Sequence, residues 1–262
     1  MSELLITPFD VGRLRFDLAA IYDLHLSHPS ARRVVDAPMI CYHLQQGERS
    51  VLLDATSYDW EEISKALRVP EYQPPPALLE QMKRRGIDRG DVDTVVITHA
   101  HFDHYGALSL RQEDGYALAF PSAQHYLGAG DWEPELFDDF DRRTLGLVHD
   151  HGRLTLVEGA ADLGQGLMIL PAAGETAGHQ VLRAQSGEQT VYFAGDLYHH
   201  TVEFGAVDVN VYWADAAQMT ASKRWLMETA AAQEAAVYFS HIAGAQRVIR
   251  DAHGRLVWEA VV

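Results

Sequence analysis

Three imidazoles and a carboxylate fall within six residues of this chain, in the segment THAHFDHYG (98–106). His99 and His101 lie two apart, directly after the run VDTVVIT (92–98), which reads as a short buried strand. Alternate side chains of an extended segment point the same way, so these two rings can hold one cation together. Asp103 and His104 follow the turn and can reach a second. Imidazole nitrogen and carboxylate oxygen suit zinc and related divalent metals. Three more residues of ligand type stand beside strand-like runs: His179 in GETAGHQ, Asp196 closing TVYFAGD, and His241 closing AAVYFSH. Such positions, near the carboxyl ends of strands, are where α/β folds place their sites.

The elements that must position these groups are legible from pattern. Strands are expected over LLITPFDVGRLRF near the start, then over 39–45 and 50–55 with a turn at Gly47. An amphipathic helix is expected over 59–69 with Asp59 as N-cap, followed by the rigid spacer YQPPPA (72–77) and a helix over 77–85 closed by Gly86. Beyond the HAHFDH segment, 116–120 reads as a strand, 122–130 as a helix, and 131–148 as one or two helices. Four strands at hairpin-like spacing follow, over 153–158, 166–172, 180–186 and 190–196. A long helix over about 215–231, a strand over 235–241 and a terminal pair, QRVIR and RLVWEAV, complete the chain. Two comparable sets of strands and helices without a low-complexity linker predict a single α/β domain over 1–262, layered αββα.

Composition narrows the partners. Lys and Arg number 21 against 37 Asp and Glu, a formal charge of −16. That field repels polyanions, so nucleic acid is not an expected partner. No apolar run approaches the roughly 20 residues of a membrane helix. The opening MSELLITPFDVG lacks a basic segment ahead of an apolar one, so a cytoplasmic location is expected. The single cysteine, Cys41, excludes an internal disulfide and any multi-cysteine zinc site.

Taken with its spacing, the set HAHFDH, His179, Asp196 and His241 resembles the pattern of the metallo-β-lactamase superfamily, and SVLLDA with Asp54 adds to the likeness. The resemblance implies an αββα sandwich and two divalent ions, Zn²⁺ first with Mn²⁺ or Fe²⁺ as alternatives. His99, His101 and His179 would hold one ion, Asp103, His104 and His241 the other, and Asp196 would bridge both. Two such ions acidify a shared water and polarise a carbonyl or phosphoryl oxygen. Asp103 and Asp54 would orient imidazoles or accept a proton.

Within that superfamily the chain looks most like the lactonase and organophosphate-hydrolase branch. It has the metal-ligand histidine at 101 where flavodiiron members carry glutamate. It lacks the basic arm of tRNA-processing nucleases, and only 21 residues follow His241, where glyoxalase II members carry a helical domain. GDLYHH (195–200) departs from acyl-homoserine-lactone hydrolases, which place a tyrosine three residues after the bridging aspartate. Here that place is His199, with Tyr198 beside it, and either is a candidate proton donor. The function implied is hydrolysis of a small-molecule lactone, ester or phosphotriester, with Asp103, Asp196 and His199 catalytic. Two other readings are a mononuclear iron sulfur dioxygenase on the same fold and a glyoxalase-type thioester hydrolase. A homodimer is compatible with the sequence. Phe102, Tyr22, Trp132, Phe137 and Phe140 are candidates for an apolar mouth, and the loop 22–33, with His25 and His28, for a cover.

Overall fold

The computed structural model describes residues 3–22, 33–56 and 77–261. The helix expected over 59–69, nearly all of the spacer 72–77, His25 and His28 lie outside the described residues. The chain divides into two compact units, one of Ser2–Gly12 and Met39–Glu158, the other of Arg13–Pro38 and Gly159–Val262. The boundaries at 12/13 and 38/39 fall inside strands β1 (Leu4–Asp17) and β2 (Val34–Gln46).

The first unit is built on a sheet of order β1-β2-β3-β4-β7-β8, with β3 Arg49–Leu53, β4 Thr94–Val96, β7 Gln124–Gly128 and β8 Leu154–Val157. A hairpin through Gly47, whose φ of 61° is a left-handed turn conformation, joins β2 to β3. From β3 onward the pairs β3–β4, β4–β7 and β7–β8 are parallel. Every residue of β4 is buried, as in a central strand covered on both faces. The segment holding His99 leaves its carboxyl end, and α3 (Phe102–Tyr105) follows. Of the earlier helices, α1 (Leu18–Tyr22) belongs to the second unit, and α2 (Leu78–Arg84), in this one, matches the helix expected over 77–85. A separate hairpin comprises β5 (Ser109–Gln112) and β6 (Gly115–Leu118).

Two expectations fail in this unit. Residues 122–130 form no helix but β7, because burial there has a period of two: His125 and Leu127 point inward, Gln124 and Tyr126 less so. The strand expected at 153–158 makes no hairpin with its successors but lies parallel to β7 as β8. Residues 131–148, expected as one or two helices, hold a 3-10 turn at Pro134–Leu136 and then a continuous helical run over 139–150, widened to a π-helix over Arg142–Gly146 and ending in α4 (Leu147–Asp150). The lone Cys41 is buried.

The second unit carries a sheet of order β15-β14-β13-β12-β11-β10-β9. Its strands are β9 Ala161–Gly164, β10 Leu167–Pro171, β11 Gln180–Ser186, β12 Gln189–Phe193, β13 Ala236–Tyr238, β14 Gln246–Arg250 and β15 Leu256–Ala260. All neighbours are antiparallel except β12 and β13, which are parallel and joined through α5 (Ala216–Ala232). Asp215 caps α5 by accepting from the backbone N–H groups of Ala217 and Gln218. Leu226, Met227 and Ala230 of α5 pack into a core with Val181, Tyr192, Val237 and Phe239.

Gly174 fixes where α5 meets the sheet. Its φ is 141°, its carbonyl accepts from Asp215 N–H at 2.8 Å, and a Cβ there would sit 2.3 Å from Met219 Cα. Only glycine fits. Gly174→Ala should therefore cost about 3 kcal/mol, lowering the melting temperature by roughly 6–12 °C in a calorimetric scan. A variant melting with the wild type would refute the close approach.

A second expectation concerns pH. Burial drives His125 from its ordinary 6.5 down to about 4. The unfolded chain thus takes up a proton near 6.5 that the folded chain refuses until about 4, so stability present above pH 6.5 is lost as pH falls toward 4. The loss amounts to roughly 3 kcal/mol. Denaturant midpoints measured across that window should fall for the wild type and fall less for His125→Phe.

Candidate metal centre

The donors of the first unit are set by one strained carboxylate. Asp54, just past β3, has a φ of 56°, uncommon for a residue with a side chain. Its Oδ1 accepts from Thr98 N–H at 2.8 Å and its Oδ2 from Thr98 Oγ1 at 3.0 Å. The same Oδ2 lies 2.9 Å from His104 Nδ1. Since the Thr98 hydroxyl donates to Asp54, it accepts from His99 Nδ1, 3.1 Å away. Both rings therefore carry their proton on Nδ1 and present the Nε2 lone pair. His99 Nε2 comes within 2.8 Å of His101 Nδ1, and His104 Nε2 within 3.7 Å of Asp103 Oδ2.

Backbone bonds keep the segment still. Ala55 N–H donates to His104 O and Ala107 N–H to Ala55 O, each at 2.7 Å. Asp131 accepts from Ala100 N–H at 2.9 Å, and the Tyr105 hydroxyl donates to Asp141. His99, Asp103 and His104 are buried and His101 half-buried.

In the second unit the parallel neighbours β12 and β13 run on into loops that bring Asp196 and His241 side by side. Ala194 N–H donates to Tyr238 O and Ser240 N–H to Gly195 O. His241 Nδ1 lies 2.7 Å from Pro38 O and its Nε2 3.1 Å from Asp196 Oδ2. His179, between β10 and β11, directs Nδ1 to Ala172 O at 3.1 Å, while its Nε2 accepts from Asp196 N–H at 3.2 Å. Again the carbonyl takes the Nδ1 proton, which leaves Nε2 as the bare nitrogen, here turned to the Asp196 N–H. Asp196, His179 and His241 converge within this unit.

His199 shares the cluster. Its Nε2 is 3.3 Å from Glu175 Oε1 and 3.4 Å from Asp196 Oδ2, and Glu175, Asp196 and His199 offer ligand atoms all within 4.8 Å of one another. Burial pulls the His199 imidazolium down, but the Glu175 and Asp196 carboxylates outweigh it and raise its pKa. Tyr198 turns the other way, into the core, with Phe204, Phe239 and Trp258 around its ring and Lys223 Nζ 4.8 Å from its centroid.

Under this cluster sits a buried ion pair that the sequence reading missed. Lys223 Nζ donates to Glu203 Oε2 at 2.5 Å, to Val209 O at 2.7 Å and to Asn210 Oδ1 at 3.0 Å. Glu203 Oε1 accepts from the backbone N–H of His199 at 2.7 Å and of His200 at 3.1 Å, and from the Tyr22 hydroxyl at 2.6 Å. Tyr22, expected at an apolar mouth, is thus a buried member of this network. Glu175 was missed as well, although it lies four residues before His179; its Oε1 accepts from Trp213 Nε1 at 2.7 Å. Phe102 is half-buried beside the ligand segment, while Trp132 and Phe137 pack edge to face at 4.9 Å.

The donor set of each unit is that of a divalent-cation site: imidazole Nε2 atoms with anchored Nδ1, and a carboxylate among them. Residues 41–241 match the family described as the metallo-beta-lactamase superfamily. Among curated proteins none matches the sequence. Solved structures do. A hydrolase, AbOPH, of the beta lactamase superfamily aligns over 99% of this chain and 94% of its own, at 17% identity and a TM-score of 0.78. AidC, a dizinc quorum-quenching lactonase, aligns over 100% and 95% at 18% identity and 0.76. A probable metal-dependent hydrolase from Staphylococcus aureus aligns over 100% and 99% at 17% identity and 0.77. The α/β fold class expected from the sequence is that of these structures.

If Asp54 sets the tautomers, removing its carboxylate should weaken Zn²⁺ binding. Asp54→Ala should lower the affinity by about 10–100-fold in a chelator competition. Asp54→Asn, which tolerates the left-handed backbone, should also lose affinity because it no longer offers an anionic acceptor to His104. Two variants binding as the wild type does would leave the carboxylate without this role.

Proposed function

From its membership of the metallo-β-lactamase superfamily, to which this chain belongs, we propose that it is a metal-dependent hydrolase of a small uncharged lactone, ester or phosphotriester. In this reading His99, His101 and His179 hold one divalent ion, Asp103, His104 and His241 the second, and Asp196 both, with Zn²⁺ the foremost occupant. The observation that carries it is the repeated anchoring of Nδ1, by Asp54 for His104, Ala172 O for His179 and Pro38 O for His241, which gives each ring one donor atom. Such ions, when bound, supply Lewis acidity and an acidified water.

The chain's own groups do the rest. Asp103 and Asp196 supply the negative charge that holds cations and can accept a proton from an attacking water. His199 is the group placed to donate to the leaving oxygen, with Glu175 Oε1 at 3.3 Å and Asp196 Oδ2 at 3.4 Å fixing its Nε2 edge. Tyr198 is unsuited to that task, since it is fully buried among aromatic rings and burial raises its pKa. Glu203 fixes the His199 backbone, and Lys223 compensates the charge of Glu203.

Purified protein should contain close to two divalent ions per chain by elemental analysis, and chelation should stop hydrolysis of a reactive lactone or aryl phosphotriester. Asp196→Ala should reduce turnover by more than about a hundredfold and release metal. His199→Phe should retain metal yet lose activity most on substrates with poor leaving groups. A single iron with thiol-dependent oxygen uptake would replace this reading with the sulfur dioxygenase. Preferred turnover of thioesters would replace it with the glyoxalase type.

A further inference from the structure

The segment carrying His99, His101, Asp103 and His104 is gripped from outside by two carboxylates of one later stretch, 131–141. Strands β4 and β7 are parallel neighbours, so both release their chains at the same edge of the sheet. Ile97 N–H still donates to Tyr126 O at 2.9 Å, and β7 then runs on into the turn Ala129–Asp131. That turn lays Asp131 against the donor segment, where its Oδ2 accepts the Ala100 N–H at 2.9 Å. Ala100 is the one residue between His99 and His101, so this bond fixes the peptide plane from which both rings spread. The rings stand edge to face at 4.5 Å between centroids, with His99 Nε2 and His101 Nδ1 2.8 Å apart.

The far end of the segment is held in the same way. Tyr105, buried, closes α3 directly after His104, and its hydroxyl donates to Asp141 Oδ1. Asp141 is fixed in turn. It is the third residue of the helical run that begins at 139, and its N–H donates to Asp138 Oδ1 at 2.9 Å. Its own Oδ2 accepts from Asp138 N–H at 3.0 Å, so one oxygen serves the helix cap and the other the phenol. The Phe140 ring packs on that phenol at 5.6 Å between centroids. Among the described residues, neither Asp131 nor Asp141 belongs to a group whose ligand atoms converge as for a metal ion. Both act through an amide or a phenol of the donor segment. Outer contacts of this kind aim the donor atoms, and ionised carboxylates make the stronger hydrogen bonds for it.

We propose that Asp131 and Asp141 are positioning residues of the candidate metal centre. Asp131, through the Ala100 amide, sets the opening between the His99 and His101 rings. Asp141, through Tyr105, sets the pitch of the turn that presents Asp103 and His104. The assignment rests on the metal-dependent reading above and adds the two groups that hold the first unit's donors at a fixed separation. Removing either acceptor leaves every donor atom present, so the expected change is a looser fit rather than a missing ligand.

The test has a metal arm and a metal-free arm. In the first, Co²⁺ is titrated into metal-free protein, because its visible bands respond to the arrangement of the donors. Asp131→Ala should weaken Co²⁺ by about tenfold and shift those bands. Asp131→Asn, whose amide oxygen can still accept the Ala100 N–H, should bind within about threefold of the wild type. Tyr105→Phe should weaken Co²⁺ by a similar factor to Asp131→Ala, and adding it to Asp141→Ala should cost nothing further, since both break one bond. Glu133→Ala, which removes an exposed charge two residues from Asp131, should bind as the wild type does. In the second arm, the Ala100 amide of metal-free Asp131→Ala should exchange its hydrogen about tenfold faster. The ring NMR signals of His99 and His101 should move in that variant and stay in place in Asp131→Asn. If the wild type takes up no Co²⁺, the metal-centre reading fails, and the metal-free signals still decide the positioning roles. Ring signals and amide exchange unchanged in Asp131→Ala overturn them. So does an asparagine variant as weak as the alanine one, which would make the charge and not the hydrogen bond the active element.

Discussion

Everything the candidate centre can do depends on which nitrogen each imidazole presents. A neutral imidazole has one protonated and one bare nitrogen, and a cation can use only the bare one. The chain settles this by giving Nδ1 an acceptor: Asp54 Oδ2 for His104, the Thr98 hydroxyl for His99, Ala172 O for His179 and Pro38 O for His241. Two of these acceptors are backbone carbonyls, which side-chain substitution cannot remove. The fold itself, through where β10 ends and where Pro38 lies in β2, therefore specifies the donor chemistry of His179 and His241. Where no carbonyl is at hand, Asp54 accepts a left-handed backbone to bring a carboxylate to Thr98 and His104. Strain of that kind persists only when neighbouring bonds over-determine the conformation, as the three bonds to Thr98 and His104 do.

The same constraint explains the buried charges of the second unit. Asp196, Glu175 and Glu203 are all removed from water, and an uncompensated carboxylate there would cost several kcal/mol. Glu203 is compensated within the fold: Lys223, wholly buried, pairs with it, and two backbone N–H groups and the Tyr22 hydroxyl supply further donors. Its charge is thereby spent on holding the His199–His200 backbone. Asp196 and Glu175 instead face imidazoles, His241 and His199. A protein that neutralises one buried carboxylate with lysine and surrounds its neighbours with imidazole separates structural charge from charge directed at a cation or proton.

How much of this was legible in the sequence follows from how far each signal reaches along the chain. HAHFDH could be read because its candidate donors are local, two and three residues apart after an apolar strand. His179, Asp196 and His241 could be read because each ends or precedes a recognisable run, and the structure brings them together within their own unit. Glu203 and Lys223 could not. A charged pair twenty residues apart, one on a short turn and the other on α5, looks in sequence like two solvated side chains. Tyr22 was misplaced for a related reason, since its partner is 181 residues away. The helix expected at 122–130 failed because SAQHYLGAG is rich in small helix-compatible residues, while parallel pairing to β4 and β8 decided the outcome.

His199 stands between two buried carboxylates, Glu175 and Asp196. An imidazole beside the Asp196 carboxylate keeps one orientation only where a second group fixes it. Glu175 supplies that: its Oε1 lies 3.3 Å from His199 Nε2 and is itself fixed by the Trp213 N–H. A tyrosine in this place would need no carboxylate partner, and its pKa would suffer from one, since a nearby anion raises it. Glu175, His199 and Trp213 therefore make chemical sense as a set, each fitted to the other two. The exposed indole is then the outer end of a chain of contacts whose inner end is the His199 ring.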